Sequence, residues 1–236
     1  MIKSILSLFK KSSSTPSKAK TVSKAPKSKP RVESTRIGEL GEHKINIQLD
    51  QLPRECKSLS DLLIPNNKSR TGFSQIDHVV ISPYCLFVIE TKNYNGEIKG
   101  KRTDQQWSVS NRFKMYNPLK QNYGHIKAIE SLIKEIENVR FVSLISFTMR
   151  CRFSIDPELR QINSDELVVY DVELSEYISR KLTRLKLENS EPSLSPEQID
   201  AIYDRLLKSN ITDQAIRNQH VHRILTNTKG NKGNRT

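Results

Sequence analysis

Three charged residues stand inside two apolar runs: Asp77, Glu90 and Lys92. The runs are Gln75–Ser82 and Cys85–Lys92, rich in Val, Ile and Phe, with Pro83-Tyr84 between them. Runs of this composition read as buried strands, where Asp, Glu and Lys are rarely placed unless paired or functional. If Pro83-Tyr84 is a two-residue turn, Ser82 faces Cys85, and counting back sets Asp77 opposite Glu90. Their Cβ atoms would then lie about 4.5–5.5 Å apart. Side-chain alternation puts Lys92 on the same face as Glu90. Two carboxylates that close repel, and a cation between them relieves the repulsion. A divalent metal with oxygen ligands is one solution, and Mg²⁺ is content with a few carboxylates plus waters. Lys92 beside them could orient a water or steady a phosphate. A one-residue bulge in either strand would break this register.

The elements that must hold these residues follow from pattern. Residues 36–49 suit a helix carrying Glu39 and Glu42 on one face, and Leu59–Ile64 a strand. The hairpin spans 75–92. Asn95-Gly96 turns the chain into a second hairpin region, 97–115, containing Trp107. Asn117-Pro118 opens a helix, with Asn as N-cap and Pro first inside. Ile126, Ile129, Ile133 and Ile136 then recur at helical spacing, and Gln121 and His125 share the adjoining stripe. Phe141–Phe147 and Leu167–Tyr170 read as strands. Helices follow near 172–187 and 195–208, the latter opened by a Ser195 capping box. Residues 210–236 read as a polar tail that frays, with His220 and His222 in solvent-exposed coil. The order defines an α/β domain with a mixed central sheet flanked by helices. Its divisions are a core over 35–150 and a C-terminal strand and helices over 151–209.

Charge is unevenly spread. The chain of 236 residues carries +13, yet residues 1–36 hold ten Lys or Arg and one acid, a net of +9. The folded part therefore carries only +4. Residues 1–34 read as a short amphipathic segment, 1–9, and a disordered basic linker over 10–34. Lys18, Lys20, Lys24, Lys27 and Lys29 in it suit a nucleic-acid backbone or anionic lipid. Residues 1–9 form a short amphipathic patch suited to weak peripheral membrane contact. The same Ser- and Lys-rich, acid-poor composition also fits an organellar transit segment. Cys56, Cys85 and Cys151 have no metal-type spacing, and an odd count suggests a reducing, cytoplasmic setting. No stretch approaches the roughly 20 apolar residues of a membrane span.

In order along the chain, Gly38-Glu39-Leu40-Gly41-Glu42, Gln75-Ile76-Asp77-His78-Val79-Val80, Phe87–Tyr94, Gly96, Gly100, Trp107 and Asn117–Asn122 resemble the nuclease-related domain (NERD) of the restriction-endonuclease-like PD-(D/E)xK superfamily. Ile76 stands where the superfamily name has Pro. The resemblance implies a restriction-endonuclease-like core. It also implies a metal site of Asp77, Glu90 and the Thr91 carbonyl, with Glu42 auxiliary. Lys92 and Gln121 would be catalytic beside the attacking water. The implied activity is that of a Mg²⁺-dependent nuclease, with Mn²⁺ able to substitute. DNA is a more natural substrate than RNA, and cutting both strands would favour a homodimer. The alternative is a non-catalytic nucleic-acid-binding module of the same fold. His78, one residue from Asp77, points to the opposite face, where a core role is expected, as it is for Trp107 and Tyr94.

Overall fold

The computed structural model of the chain describes residues 44–230. Residues 44–49 are helical (α1). Strands β1 (Lys57–Pro65), β2 (Phe73–Ile81) and β3 (Leu86–Lys92) follow, then β4 (Gly96–Gly100), β5 (Gln106–Val109) and β6 (Phe113–Tyr116). Helix α2 (Pro118–Leu132) leads to β7 (Phe141–Phe147), β8 (Cys151–Ile155) and β9 (Glu166–Tyr170). Helices α3 (Leu174–Glu188), α4 (Pro196–Ser209) and α5 (Gln214–Gly230) end the described chain.

The main sheet is mixed, in the order β1-β2-β3-β7-β9. β1, β2 and β3 are antiparallel neighbours, whereas β7 is parallel to both β3 and β9. Helices cover both faces, as an α/β sheet buried on two sides requires. Val79, Ile81 and Val88 pack with Ile126 and Ile129 of α2 and Ile202 and Leu206 of α4. Val80, Phe87, Ile89 and Leu144 pack on the other face with Ile45, Leu174 and Ile178. Cys85 is a buried core thiol, as its apolar surroundings suggest.

The region 97–115 is not one hairpin. It forms three strands of a second sheet, ordered β6-β5-β4-β8, with β8 parallel to β4. Its inner face buries Ile98, Trp107, Val109 and Met115 against Leu119, Ile145 and Phe147. Two glycines are fixed by this packing. Gly96 has a left-handed φ of 98° and faces Ser110, and at Gly100 a Cβ would come 2.1 Å from Trp107 Cδ1.

Residues 214–230 are helical, not a frayed tail. Asp213 Oδ1 accepts from the amides of Ala215 (2.7 Å) and Ile216 (3.2 Å), capping the helix. Arg217 donates to Asp61 Oδ2 at 2.7 Å and to the Ile211 carbonyl, tying the helix to β1. His220 is accordingly buried edge-on against Phe73, and only His222 of the pair is exposed.

Candidate active site

The pairing of β2 with β3 runs Ile81↔Leu86, Val80↔Phe87, Val79↔Val88, His78↔Ile89. The turn closes through Ser82 N to Cys85 O (3.1 Å) and Cys85 N to Ser82 Oγ (3.1 Å). This is the register that places Asp77 across from Glu90. The ladder itself stops one step short of them. β3 continues beside β7 as far as Lys92↔Phe147, while β2 continues beside β1 as far as Phe73↔Pro65. The two strands diverge, and the fork between them is the candidate site.

The departure begins at Asp77. Asp61, its counterpart on β1, has a left-handed φ of 51° and makes no pair with it. Leu59 and Leu62, three apart, face the same core, as do Ile76 and Val79. Strict alternation therefore slips by one on both strands together. Register survives, yet the backbone at Asp77 is released from ladder pairing.

Asp77 uses that freedom to bind the neighbouring strand through its side chain. Its Oδ2 accepts from the Thr91 amide (2.7 Å) and the Thr91 hydroxyl (2.6 Å). The amide and carbonyl of one extended residue point to the same side, so the Thr91 carbonyl also faces the fork. Asp77 is largely buried, and burial followed by the charge of Glu90 raises its carboxyl to about 6.

Glu90, only 4% exposed, lies on the face covered by α2. Its Oε1 accepts from Lys92 Nζ (2.5 Å) and Gln121 Nε2 (2.7 Å). Lys92 Nζ also donates to Gln121 Oε1 at 3.0 Å, closing a three-membered ring of hydrogen bonds. His125 Nε2 stands 3.3 Å from Glu90 Oε2, a charge contact without hydrogen-bond alignment. Burial works to raise the Glu90 carboxyl, but His125 and Lys92 outweigh it and hold it below its ordinary value.

Helix α2 delivers Gln121 and His125 because its start and its azimuth are both fixed. Asn117 Oδ1 accepts from Leu119 N (3.0 Å), the expected N-cap with Pro118 next. Asn117 Nδ2 donates to the carbonyls of Arg102 (3.1 Å) and Asp104 (2.7 Å), and Trp107 Nε1 to that of Lys101 (2.9 Å). Buried Asn122 donates to Val88 O (2.7 Å) and Ser143 Oγ (2.8 Å), pinning the helix to β3 and β7.

The structure thus brings Asp77, Glu90, Thr91, Lys92 and Gln121 together. His125 is the member that sequence reasoning left aside, although its position one helical turn after Gln121 was a signal. His78 turns away to Ser60 Oγ at 2.9 Å, and burial lowers it to about 4. Glu42, the five tail lysines and residues 1–9 lie outside the described residues.

Among the described residues no three His, Cys, Asp or Glu side chains are grouped to hold a metal ion. The donor set at the fork is two carboxylates and a backbone carbonyl, which is hard, oxygen-only and suited to Mg²⁺ rather than to a softer ion. Glu90 Oε2 is buried without a hydrogen-bond partner, and burial together with the charge of Glu90 raises the Asp77 carboxyl. Both observations fit a divalent cation between the two acids. Also among the described residues, no helix is long and apolar enough to cross a membrane.

A mixed α/β sheet that forks over two carboxylates and a lysine defines a nuclease-like core. The family model for the nuclease-related domain matches residues 37–148. An uncharacterized protein of Bacillus anthracis is 31% identical over 191 residues, 78% of this chain and 82% of that protein. The chain belongs to the nuclease-related domain family. No solved structure matches it.

Proposed function

We propose that the protein is a metal-dependent nuclease, most naturally a DNA endonuclease that hydrolyses phosphodiester bonds with water as nucleophile. The observation that carries this reading is the fork: Lys92 Nζ rests on Glu90 at 2.5 Å, with Asp77 on the facing strand. Asp77, Glu90 and the Thr91 carbonyl would hold the cation, Mg²⁺ or Mn²⁺. Such a cation, when bound, polarises a phosphate oxygen and lowers the pKa of a bound water. Glu90 remains anionic through Lys92 and His125. Lys92 presents its ammonium to the reacting phosphate and offsets charge that develops there. Gln121 holds Lys92 and Glu90 in one arrangement, so the ammonium is positioned before substrate arrives. The basic tail, with Lys18, Lys20, Lys24, Lys27 and Lys29, would add phosphate contacts independent of sequence.

The test is supercoiled plasmid with Mg²⁺ or Mn²⁺, wild type beside Asp77→Ala and Lys92→Ala. Metal-dependent nicking lost in both variants supports the assignment; cleavage that survives both overturns it. One observation favours a second reading, a nucleic-acid-binding module without turnover: Glu90 is already ion-paired with Lys92. That reading predicts DNA binding with no cleavage at any metal concentration, and a smaller salt slope once residues 1–35 are removed.

A further inference from the structure

Helix α5 lies outside the residues 37–148 that match the family, and it roofs a cavity of about 280 Å³ over β1 and β2. Leu63 and Gln75, paired across the two strands, line it from the sheet. Gln214, Asn218 and Val221 line it from the helix. Asp61 stands at its edge, where β1 slips out of the ladder beside Asp77. Gln75 precedes Asp77 by two residues, so their Cα atoms are within about 7 Å. Ile76 faces α2 and α4, so alternation puts Gln75 and the cavity on the other face of β2. β2 has no β3 partner on this side of His78, which leaves both faces of the arm within reach of the fork.

His220 is the buried end of this cavity. It is 4% exposed, it lines the space, and neither ring nitrogen has a hydrogen-bond partner among the described residues. A buried imidazole with both nitrogens unpaired is an exception to the rule that buried polar groups are satisfied, and a bound group would remove it. The ring is held in place. Phe73 meets it edge-on, with centroids 6.0 Å apart and planes at 89°, and Arg217 fastens the helix to Asp61 and Ile211.

The lining selects a neutral, planar ligand with both donors and acceptors on its edge. Asp61 and Arg217 satisfy each other at 2.7 Å, so the wall offers no spare cation to a phosphate, and the Asp61 carboxylate repels one. Burial, then the charges of Arg217 and Arg223, lower His220 below its ordinary value. At neutral pH it is therefore one donor and one acceptor. Three carboxamides surround it. Gln214 donates to Asn218 Oδ1 at 3.0 Å, which leaves the Asn218 amide group and the Gln214 oxygen without partners among the described residues. Gln75 is held only by a 3.3 Å bond to Asp61. Asn and Gln carboxamides pair with base edges through one donor and one acceptor. Leu63 and Val221 supply apolar surface for a ring face. The volume is just under that of sites for drug-sized ligands, ~300–1,000 Å³, which suits one ring system and excludes a base pair.

We propose that the cavity under α5 receives one unpaired nucleobase of the strand bound at the fork, with Asn218, Gln75 and His220 hydrogen-bonded to its edge. The substrate then carries an unpaired or extruded nucleotide beside the scissile phosphate. The placement relative to that phosphate rests on the nuclease reading, and the experiment separates the two. A labelled single-stranded oligonucleotide is compared with a set in which one base at a time is replaced by an abasic site. Affinity is measured by anisotropy in EDTA for wild type, Asn218→Ala and His220→Phe. The wild type should lose roughly 5- to 150-fold at one position of the strand and little elsewhere. Asn218→Ala, at an exposed helical position, should shrink that loss, and His220→Phe, which keeps a ring against Phe73 and removes both nitrogens, should do the same. A flat abasic profile in the wild type overturns the pocket, as does a profile that both variants leave unchanged. Failure of the wild type to bind any of these strands overturns it too. Metal-dependent plasmid cleavage with a flat profile sinks the pocket alone. A position-specific loss that Asn218→Ala removes, in a protein that never cleaves, sinks the nuclease reading alone.

Discussion

Asp77→Asn should make the protein more stable at neutral pH while abolishing metal-dependent function. Burial and the charge of Glu90 lift the Asp77 carboxyl from 3.8 to about 6. A raised acid binds its proton more tightly folded than unfolded, so stability falls as pH rises from about 4 to 6 and stays low above that. At about 1.4 kcal/mol per unit, the ionised carboxylate costs the native state roughly 3 kcal/mol at pH 8. Asn resembles the protonated acid: its Oδ1 can still accept from the Thr91 amide and hydroxyl, and it carries no charge to repel Glu90. Urea unfolding of both proteins in EDTA should show near-equal stability at pH 4. The variant should be ahead by roughly 3 kcal/mol at pH 8, which is roughly 6–12 °C in Tm for a chain of this length. Glu90 and the other acids titrate in both proteins, so the difference isolates position 77. Added Mg²⁺ should raise the wild-type Tm at pH 8 through preferential binding to the native state, and leave the variant unmoved. A pH-independent difference, or a variant less stable at pH 8, would refute the reasoning.

Three further substitutions probe the scaffold. His125→Ala removes a contact that holds Glu90 low, so the acid limb of any cleavage profile should move to higher pH. Metal affinity or activity should drop roughly 10- to 100-fold, read by metal titration and steady-state kinetics. Asn122→Leu leaves Val88 O and Ser143 Oγ buried without their donor, at roughly 1–3 kcal/mol each, measured by urea unfolding. Gly100→Ala drives a Cβ into Trp107 and should cost ~1–3 kcal/mol. The chain's single tryptophan makes the disturbance visible in its emission spectrum.

The hairpin was legible because two apolar runs and a two-residue turn leave one register open. β1, β7, β9 and helices α2 to α4 follow equally from apolar periodicity and caps. The second sheet was not, because β5 and β6 have only four residues each and β4 finds its other neighbour, β8, some 50 positions later. The helix at 214–230 escaped because no apolar stripe marks it. Asp213 caps it locally, and Arg217 and His220 hold it through Asp61 and Phe73, far away in sequence. His125 shares the stripe of Gln121 one turn on, but spacing alone does not say which way that stripe faces. Its pairing with Glu90 becomes visible only once Asn122 has fixed the rotation of α2 against β3.

The two acids of the fork are driven in opposite directions, and that asymmetry follows from the strands' divergence. A fully paired β2 would keep the Thr91 amide for its ladder and point Asp77 no nearer than a normal cross-strand neighbour. Where the ladder stops, the Asp77 carboxylate takes over the Thr91 amide and is drawn into the interior beside Glu90. Glu90 then has every compensating group: Lys92 and Gln121 on one oxygen, His125 by the other. Asp77 has the two hydrogen bonds of Thr91 and the weaker influence of the Lys92 charge, which together do not offset burial and a like charge. Separated titrations of this kind mark pairs with distinct roles. On the proposed metal-dependent reading, Glu90 is the acid held ionised and Asp77 the one whose charge a cation would meet. Below about pH 6 a cation entering the fork must displace the Asp77 proton, so metal affinity should weaken there even though Glu90 remains ionised. That places the acid sensitivity of the site on β2, on the residue that breaks the sheet open.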